Sequence, residues 1–166
     1  RALQYASDDL KGVRALVMEA VNNYGLALGY APEDLKGDAE IVQKAVKNNG
    51  EALHLASEKL KADHNFMLEI VKQDGRNIYH ASIDLRDNYN IVMAAVKKNG
   101  FALFWASERL RGNSKIVMAA VGQCKYSIKY ASKSAVNKLK LWESAARLSA
   151  TCRDMLKVYE RMIDKD

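Results

Sequence analysis

DAEIVQKAVKNNGEALHLASEKLK, residues 38–61, holds the plan of the whole chain. Ile41, Val42, Ala45 and Val46 fall at i, i+1, i+4 and i+5, the apolar stripe of a helix and not the alternation of a strand. Asp38 stands where a short side-chain oxygen can accept hydrogen bonds from the free amides of the first turn. Gly50 stands where the helix stops, and the spacing predicts a left-handed C′ glycine there. Directly after it, Ala52, Leu53 and Ala56 form a second, shorter apolar stripe. Ser57 interrupts this stripe and predicts a serine-capped turn, with Glu58 favoured at its positive start. The stretch therefore reads as helix, turn, helix.

The same phrase recurs. Aligned on Ala6, Ala31, Ala56, Ala81, Ala106 and Ala131, the copies step by 25 residues without insertion. Position 3 of the unit is Leu3, Leu28, Leu53, Ile78, Leu103 and Ile128, and position 21 is Val21, Val46, Val71, Val96 and Val121. Position 10 is Leu10, Leu35, Leu60, Leu85 and Leu110 before failing at Ala135. Asp63, Asn88 and Asn113 repeat the cap of Asp38, and Gly25, Gly75 and Gly100 repeat the stop of Gly50. Position 7 is serine except for Pro32, whose ring disfavours helical geometry at the residue before it. No unit of 25 residues can cover both of its stripes, so each must bury them against the next. The expected fold is all-α, an α-solenoid of six repeats. Its array covers residues 1–137, in units 1–25, 26–50, 51–75, 76–100, 101–125 and a degenerate unit from 126. Lys125 and Ala150 replace the glycine there, and residues 138–166 read as two C-terminal capping helices with Trp142, Leu156, Tyr159 and Ile163 shielding the last apolar face.

The ALxYASxxLR phrase followed by (D/N)xxIVxxAVxxNG resembles an uncharacterised helical-repeat family, a domain of unknown function of about fifty residues, or two of these units. The resemblance covers residues 1 to 132. It implies a bacterial protein of a family that includes candidate secreted effectors of intracellular pathogens, acting in the bacterial cytoplasm or, after secretion, in a host's. It carries no chemistry to any residue.

Composition agrees with a folded domain: 166 residues, 49% hydrophobic, one proline. No apolar run approaches the roughly 18 residues of a membrane span, and the first residues show no signal segment. The chain opens at Arg1, inside a repeat and without methionine, and reads as a piece of a longer protein. Cys124 and Cys152 lack CxxC spacing and fit reduced thiols in an incidental role. Net charge is +6, unevenly placed: residues 1–114 carry 15 basic and 15 acidic groups, and 115–166 carry 11 and 5.

Chemistry-bearing motifs are missing from the sequence, with no glycine-rich phosphate loop, GxSxG or HExxH. His54, His64 and His80 share no i, i+4 ligand spacing, so no metal or cofactor is expected and no enzyme. An aromatic column at position 5, Tyr5, Tyr30, Trp105 and Tyr130, interrupted by Leu55 and His80, reads as packing. Two features could carry binding. Position 11 is basic in five units, Lys11, Lys36, Lys61, Arg86 and Arg111. It is either a ladder of charges for acidic partners or a cation favoured at the end of the serine-capped turn. Positions 1 and 4 lie one turn apart on the non-core side and vary freely on the constant frame. There Arg76, Tyr79, Phe101, Phe104, Tyr126 and Lys129 have the composition of an interface hot spot. The expected function is a non-enzymatic protein–protein interaction module. The alternative is an RNA- or other nucleic-acid-binding helical repeat that uses the basic C-terminal third.

Overall fold

The structure, a computed structural model, describes residues 2–144. It is all-α, without a strand among the described residues. The chain divides into two compact units, residues 1–67 and 68–166, and the same repeat builds both.

Each regular repeat has three helical parts where the sequence predicted two. The second runs from a 3-10 helix, Gly25–Tyr30, through a single α-helical turn, Glu33–Lys36, to a ten-residue α-helix, Ala39–Asn48. The fourth repeat is Gly75–His80, Ile83–Arg86 and Tyr89–Lys98, and the fifth is Gly100–Trp105, Glu108–Arg111 and Ser114–Gln123. The expected turn is thus itself helical, and the expected first helix has the tighter 3-10 winding. Six residues between two extended ones, such as Asn99 and Ala106, have no room for the longer i→i+4 ladder to pay off its nucleation.

The helix caps act as the sequence predicts except at Ser7, whose side chain makes no cap bond. Asp38 accepts from the amides of Glu40 and Ile41, Asn88 from Asn90 and Ile91, and Asn113 from Lys115 and Ile116. The serine hydroxyls of Ser57, Ser82, Ser107 and Ser132 accept from the amide three residues on. Serine has a second role that its cap signal hides. The amide of Ser57 donates to the Lys36 carbonyl, that of Ser107 to Arg86, and that of Ser132 to Arg111, each at 3.0 Å, tying a repeat to the one before it. Pro32, with no N–H, cannot make this bond in the second repeat.

The glycines differ from expectation. The long helices end at Tyr24, Asn49, Asn99 and Cys124 in extended backbone, φ between −147° and −151°. No left-handed residue closes these helices; the residue that follows, Gly25, Gly50, Gly100 or Lys125, starts the next 3-10 helix. Asn49, Asp74 and Asn99 cap that 3-10 helix by accepting from the amides of Glu51, Arg76 and Phe101. Glycine is required by closeness. A Cβ on Gly25 would lie 2.4 Å from the Ala45 carbonyl oxygen, on Gly75 2.2 Å from that of Ala95, and on Gly100 2.2 Å from that of Ala120. Backbone packs on backbone at each of these junctions.

In the first unit, Arg14–Asn23 packs against Ala39–Asn48, and Gly25–Tyr30 rests on both. In the second, Tyr89–Lys98 packs against Ser114–Gln123, and Gly100–Trp105 rests on both, flanked by Gly75–His80 and Lys125–Tyr130. Each unit is therefore a two-row stack, long helices in one row and 3-10 helices in the other, the local architecture of an α-solenoid. Leu28 and Leu53 in one unit, and Ile78, Leu103 and Ile128 in the other, are fully enclosed, each worth roughly 1.5–3 kcal/mol of burial. In the sixth repeat the short and long helices merge into one, Lys133–Ser144, which runs across position 137. Cys152, Leu156, Tyr159 and Ile163 of the expected cap lie outside the described residues.

Two alanine substitutions separate close approach from helix propensity. Gly100→Ala should lose about 2 kcal/mol or more, because its new methyl meets fixed backbone. Gly122→Ala, with nothing within 4 Å and inside a long helix, should be neutral or gain up to about 1 kcal/mol. Urea unfolding of the two variants checks this; similar losses at both sites would contradict it.

Candidate functional site

Position 1 and position 4 belong to the 3-10 helix, whose three residues per turn bring i and i+3 into line. Phe101 and Phe104 therefore share one outward face of Gly100–Trp105, and Tyr126 and Lys129 share one face of Lys125–Tyr130. Tyr79, Phe101, Phe104 and Tyr126 are 52, 43, 48 and 51% exposed.

These rings are joined across repeats by a column that the sequence reading assigned to packing. The Tyr79 ring lies 4.5 Å from Trp105 in the next repeat, tilted by 54°, and Phe104 lies 5.1 Å from Tyr130 in a T-shaped contact. Within one repeat Phe104 meets Trp105 at 4.6 Å, and across to the next repeat Phe101 reaches Tyr130 at 6.1 Å. Trp105 and Tyr130, at position 5, are half-buried and form the floor of an aromatic strip whose walls are the position 1 and position 4 rings. The signal for them was present as the position 5 column. What it lacked was the neighbour, because position 5 of one repeat meets position 4 of the repeat before. Edge-to-face pairs of this kind contribute about 0.5–1.5 kcal/mol each and hold the rings in place.

Cations lie along the strip. The Lys129 ammonium is 4.7 Å from the Tyr130 ring centre and 6.0 Å from Phe101, and that of Lys125 is 5.4 Å from Tyr126. Arg76 is held by Asp74, with Nε at 2.9 Å and Nη2 at 2.7 Å from its Oδ2. The three 3-10 helices, residues 75–80, 100–105 and 125–130, contain Arg76, Lys125 and Lys129 and no acidic residue. In the second and third repeats the same two positions hold Leu26, Gly29, Glu51 and His54, with no Phe, Tyr or Trp. The His54 Nδ1 contacts the Glu51 carbonyl.

The basic column at position 11 lies elsewhere, on the single helical turns. In the first unit Lys11 pairs with Asp8 at 3.4 Å and Lys36 with Glu33 at 3.7 Å, and Lys61 pairs with Glu58. The Lys61 side chain is only 12% exposed, so its stem is covered and its charge is matched within its own turn. In the second unit the Arg86 Nε donates to the Ala81 carbonyl at 3.1 Å, and the Arg111 Nε is buried with no hydrogen-bond partner. Beside the column, neighbouring turns enclose recesses of opposite character. That of the first unit, about 730 Å³, is lined by Glu33, Asp34, Glu58 and Asp63 around Lys59. That of the second, about 570 Å³, is lined by Arg109, Arg111 and Lys133 around Glu108.

Carboxylates that link elements are held below their ordinary range. Hydrogen bonds from Arg14 do this to Asp38, from Arg76 to Asp74, and from Ser107 and then Arg109 to Asp87. No group of three or more His, Cys, Asp or Glu residues could hold a metal ion among the described residues. Cys124 is a half-buried free thiol at position 24, where the second, third and fourth repeats carry the capping Asn49, Asp74 and Asn99. No helix of the described residues is long and apolar enough to cross a membrane.

Because the Asp74 carboxyl titrates below its ordinary value, its contribution to stability is complete above about pH 4 and vanishes as pH falls through the folded-state value. Asp74→Asn keeps a capping oxygen, as Asn49 and Asn99 show, and removes the charge. The variant should match the parent melting temperature near neutral pH within a degree or two and lose less stability on acidification, since the pair is a surface one. Thermal melts down to about pH 2.5 measure this; an unchanged acid slope would remove the ion pair from the account.

The model of a family described as a domain of unknown function (DUF4116) matches the chain in five overlapping windows, residues 1–36, 13–61, 38–86, 63–111 and 88–134. Successive windows after the first advance by one 25-residue repeat and each spans about two. No curated protein and no solved structure matches the chain.

Proposed function

The chain belongs to the family described as a domain of unknown function (DUF4116), and from that premise we propose that it is a non-enzymatic module that binds another protein through its aromatic strip. One observation carries this reading: exposed aromatic rings, braced against one another across repeats, stand on a frame whose core columns recur. Large rings held in place by packing bury much apolar area at small entropic cost, which is why aromatic and arginine side chains dominate interface energetics. With Arg76, Lys125 and Lys129 beside the rings and no acid on those three helices, the fitting partner surface is apolar with acidic residues at its rim. The setting that accompanies this reading is a bacterial protein at work in the cytoplasm, its own or that of a host.

Nucleic-acid binding is the second reading. The basic excess of residues 115–166 and the recess at Arg109, Arg111 and Lys133 favour it, and the acidic recess at the same place in the first unit opposes it.

Replacing Phe101 and Phe104 together by serine distinguishes surface from core. The double variant should keep its helical circular-dichroism signal, melt a few degrees lower for the lost edge contacts, and release the proteins that the parent chain captures by affinity cross-linking. Collapse of the helical signal would make these rings core residues and sink the proposal. The same parent chain, titrated with single-stranded and duplex oligonucleotides at about 50 and 200 mM salt, should show no steep salt-dependent binding. A steep loss of affinity between the two would favour the second reading.

A further inference from the structure

The outermost face of the first repeat is not finished in the way that the others are. Leu10 is 47% exposed, whereas Leu35, Leu60, Leu85 and Leu110 in the same column are at most 8% exposed. Leu16 is 45% exposed, whereas Ile41, Ile91 and Ile116 are fully buried. Ala20 is half-buried, whereas Ala45, Ala95 and Ala120 are fully buried. Together with Leu3, Tyr5 and Tyr24, these residues line an apolar groove of about 510 Å³.

What covers this face elsewhere is visible in the repeats themselves. Ala45, Ala95 and Ala120 are the residues whose carbonyl oxygens receive the junction glycines Gly25, Gly75 and Gly100. In the first unit, the helix Arg14–Asn23 that ends before Gly25 lies against Ala39–Asn48. A side-chain latch accompanies the fit. The Asn48 Oδ1 accepts from the Gly25 amide at 2.7 Å, and its Nδ2 donates to the Asn22 carbonyl at 2.9 Å, clasping the end of the preceding helix. Gln123, at the same position in the fifth repeat, donates to the Lys98 carbonyl. The first repeat keeps this latch residue as Asn23, at the rim of the groove, where it turns back on its own helix to the Glu19 carbonyl and Oε1 at 3.0 and 2.8 Å.

We propose that the groove of Leu10, Leu16, Ala20 and Asn23 is a docking site for a repeat of this same class, specifically for its amphipathic long helix and the glycine that follows. The bare apolar stripe is continuous in kind with the repeat interfaces, the Ala20 carbonyl sits where the glycine must approach, and Asn23 is the clasp awaiting its partner. A second copy of this chain added head to tail does not supply the occupant. Its sixth repeat fuses the short and long helices into Lys133–Ser144 and carries Ala150 in place of the glycine. This site is independent of the aromatic strip, which lies in the other compact unit.

The test adds the occupant to the full chain. Residues 88–100, NYNIVMAAVKKNG, are copied in front of Arg1, so that a long helix and its glycine precede the first repeat. The extended chain should melt higher by about 3 °C or more. Most of that gain should vanish when the added glycine is valine, and also when Asn23→Ala is introduced, a change expected to leave the unextended chain's melting temperature unaltered. No gain, or a gain indifferent to both changes, overturns the proposal. So does a dimer of the unextended chain in sedimentation that Leu16→Asp abolishes, because the occupant would then be a second copy meeting the same face.

Discussion

At three junctions between repeats, Gly25, Gly75 and Gly100 bring their backbone against the carbonyl of the following long helix, closer than any Cβ would allow, whereas a Cβ on Gly50 would meet nothing within 4 Å. With 2.2–2.4 Å between that carbonyl oxygen and the place of a Cβ, the 3-10 helix settles into the groove between two long helices. This contact sets the spacing of the two rows within each unit. Given that spacing, Leu28 or Leu103 fills the gap beneath, the serine amide reaches the carbonyl of the turn before, and position 4 of one repeat meets position 5 of the next. A side chain at the junction would push each of these contacts apart together, because packed interiors do not yield by degrees.

The same constraint explains why interaction residues gather on the 3-10 row. Positions 2 and 3 of that helix are spent on the core, and its glycine is spent on the junction. Positions 1 and 4 are left outward and eclipsed, free to vary without cost to the frame. Variation there concentrates aromatic rings and cations in the second unit and leaves the first unit's row without a Phe, Tyr or Trp at these positions. The single helical turns serve a different purpose. Their position 11 side chains are held close to the fold, matched by acids one turn back in the first unit. The carbonyls of Lys36, Arg86 and Arg111 receive the serine amides, so there the backbone of the column joins repeats whatever its side chains do.

Much of the fold can be read from residues 38–61 alone. The apolar stripe of Ile41, Val42, Ala45 and Val46, the cap of Asp38 and the cap of Ser57 are all present as written. The candidate site was half legible. Phe101 and Phe104 stand out because they vary on a constant frame, whereas Trp105 and Tyr130 join them only through ring contacts between repeats. Asn49, Asp74 and Asn99, each just before a glycine expected to stop a helix, instead open the next one. A polar residue before a glycine fits both roles, and local sequence does not separate them.

What the sequence by itself determined is the period, the buried columns, and the caps of Asp38, Asn88, Asn113 and Ser57, whose oxygens reach amides two or three residues on. Only the tertiary structure decided the reason for Gly25, Gly75 and Gly100, the pairing of Asn48 with Gly25, and the bare first face beside Asn23. These depend on atoms from a neighbouring repeat, some twenty-five residues away in the chain, arriving within a few ångströms. A residue type records that it tolerates such an approach, and only the packed fold shows what approaches.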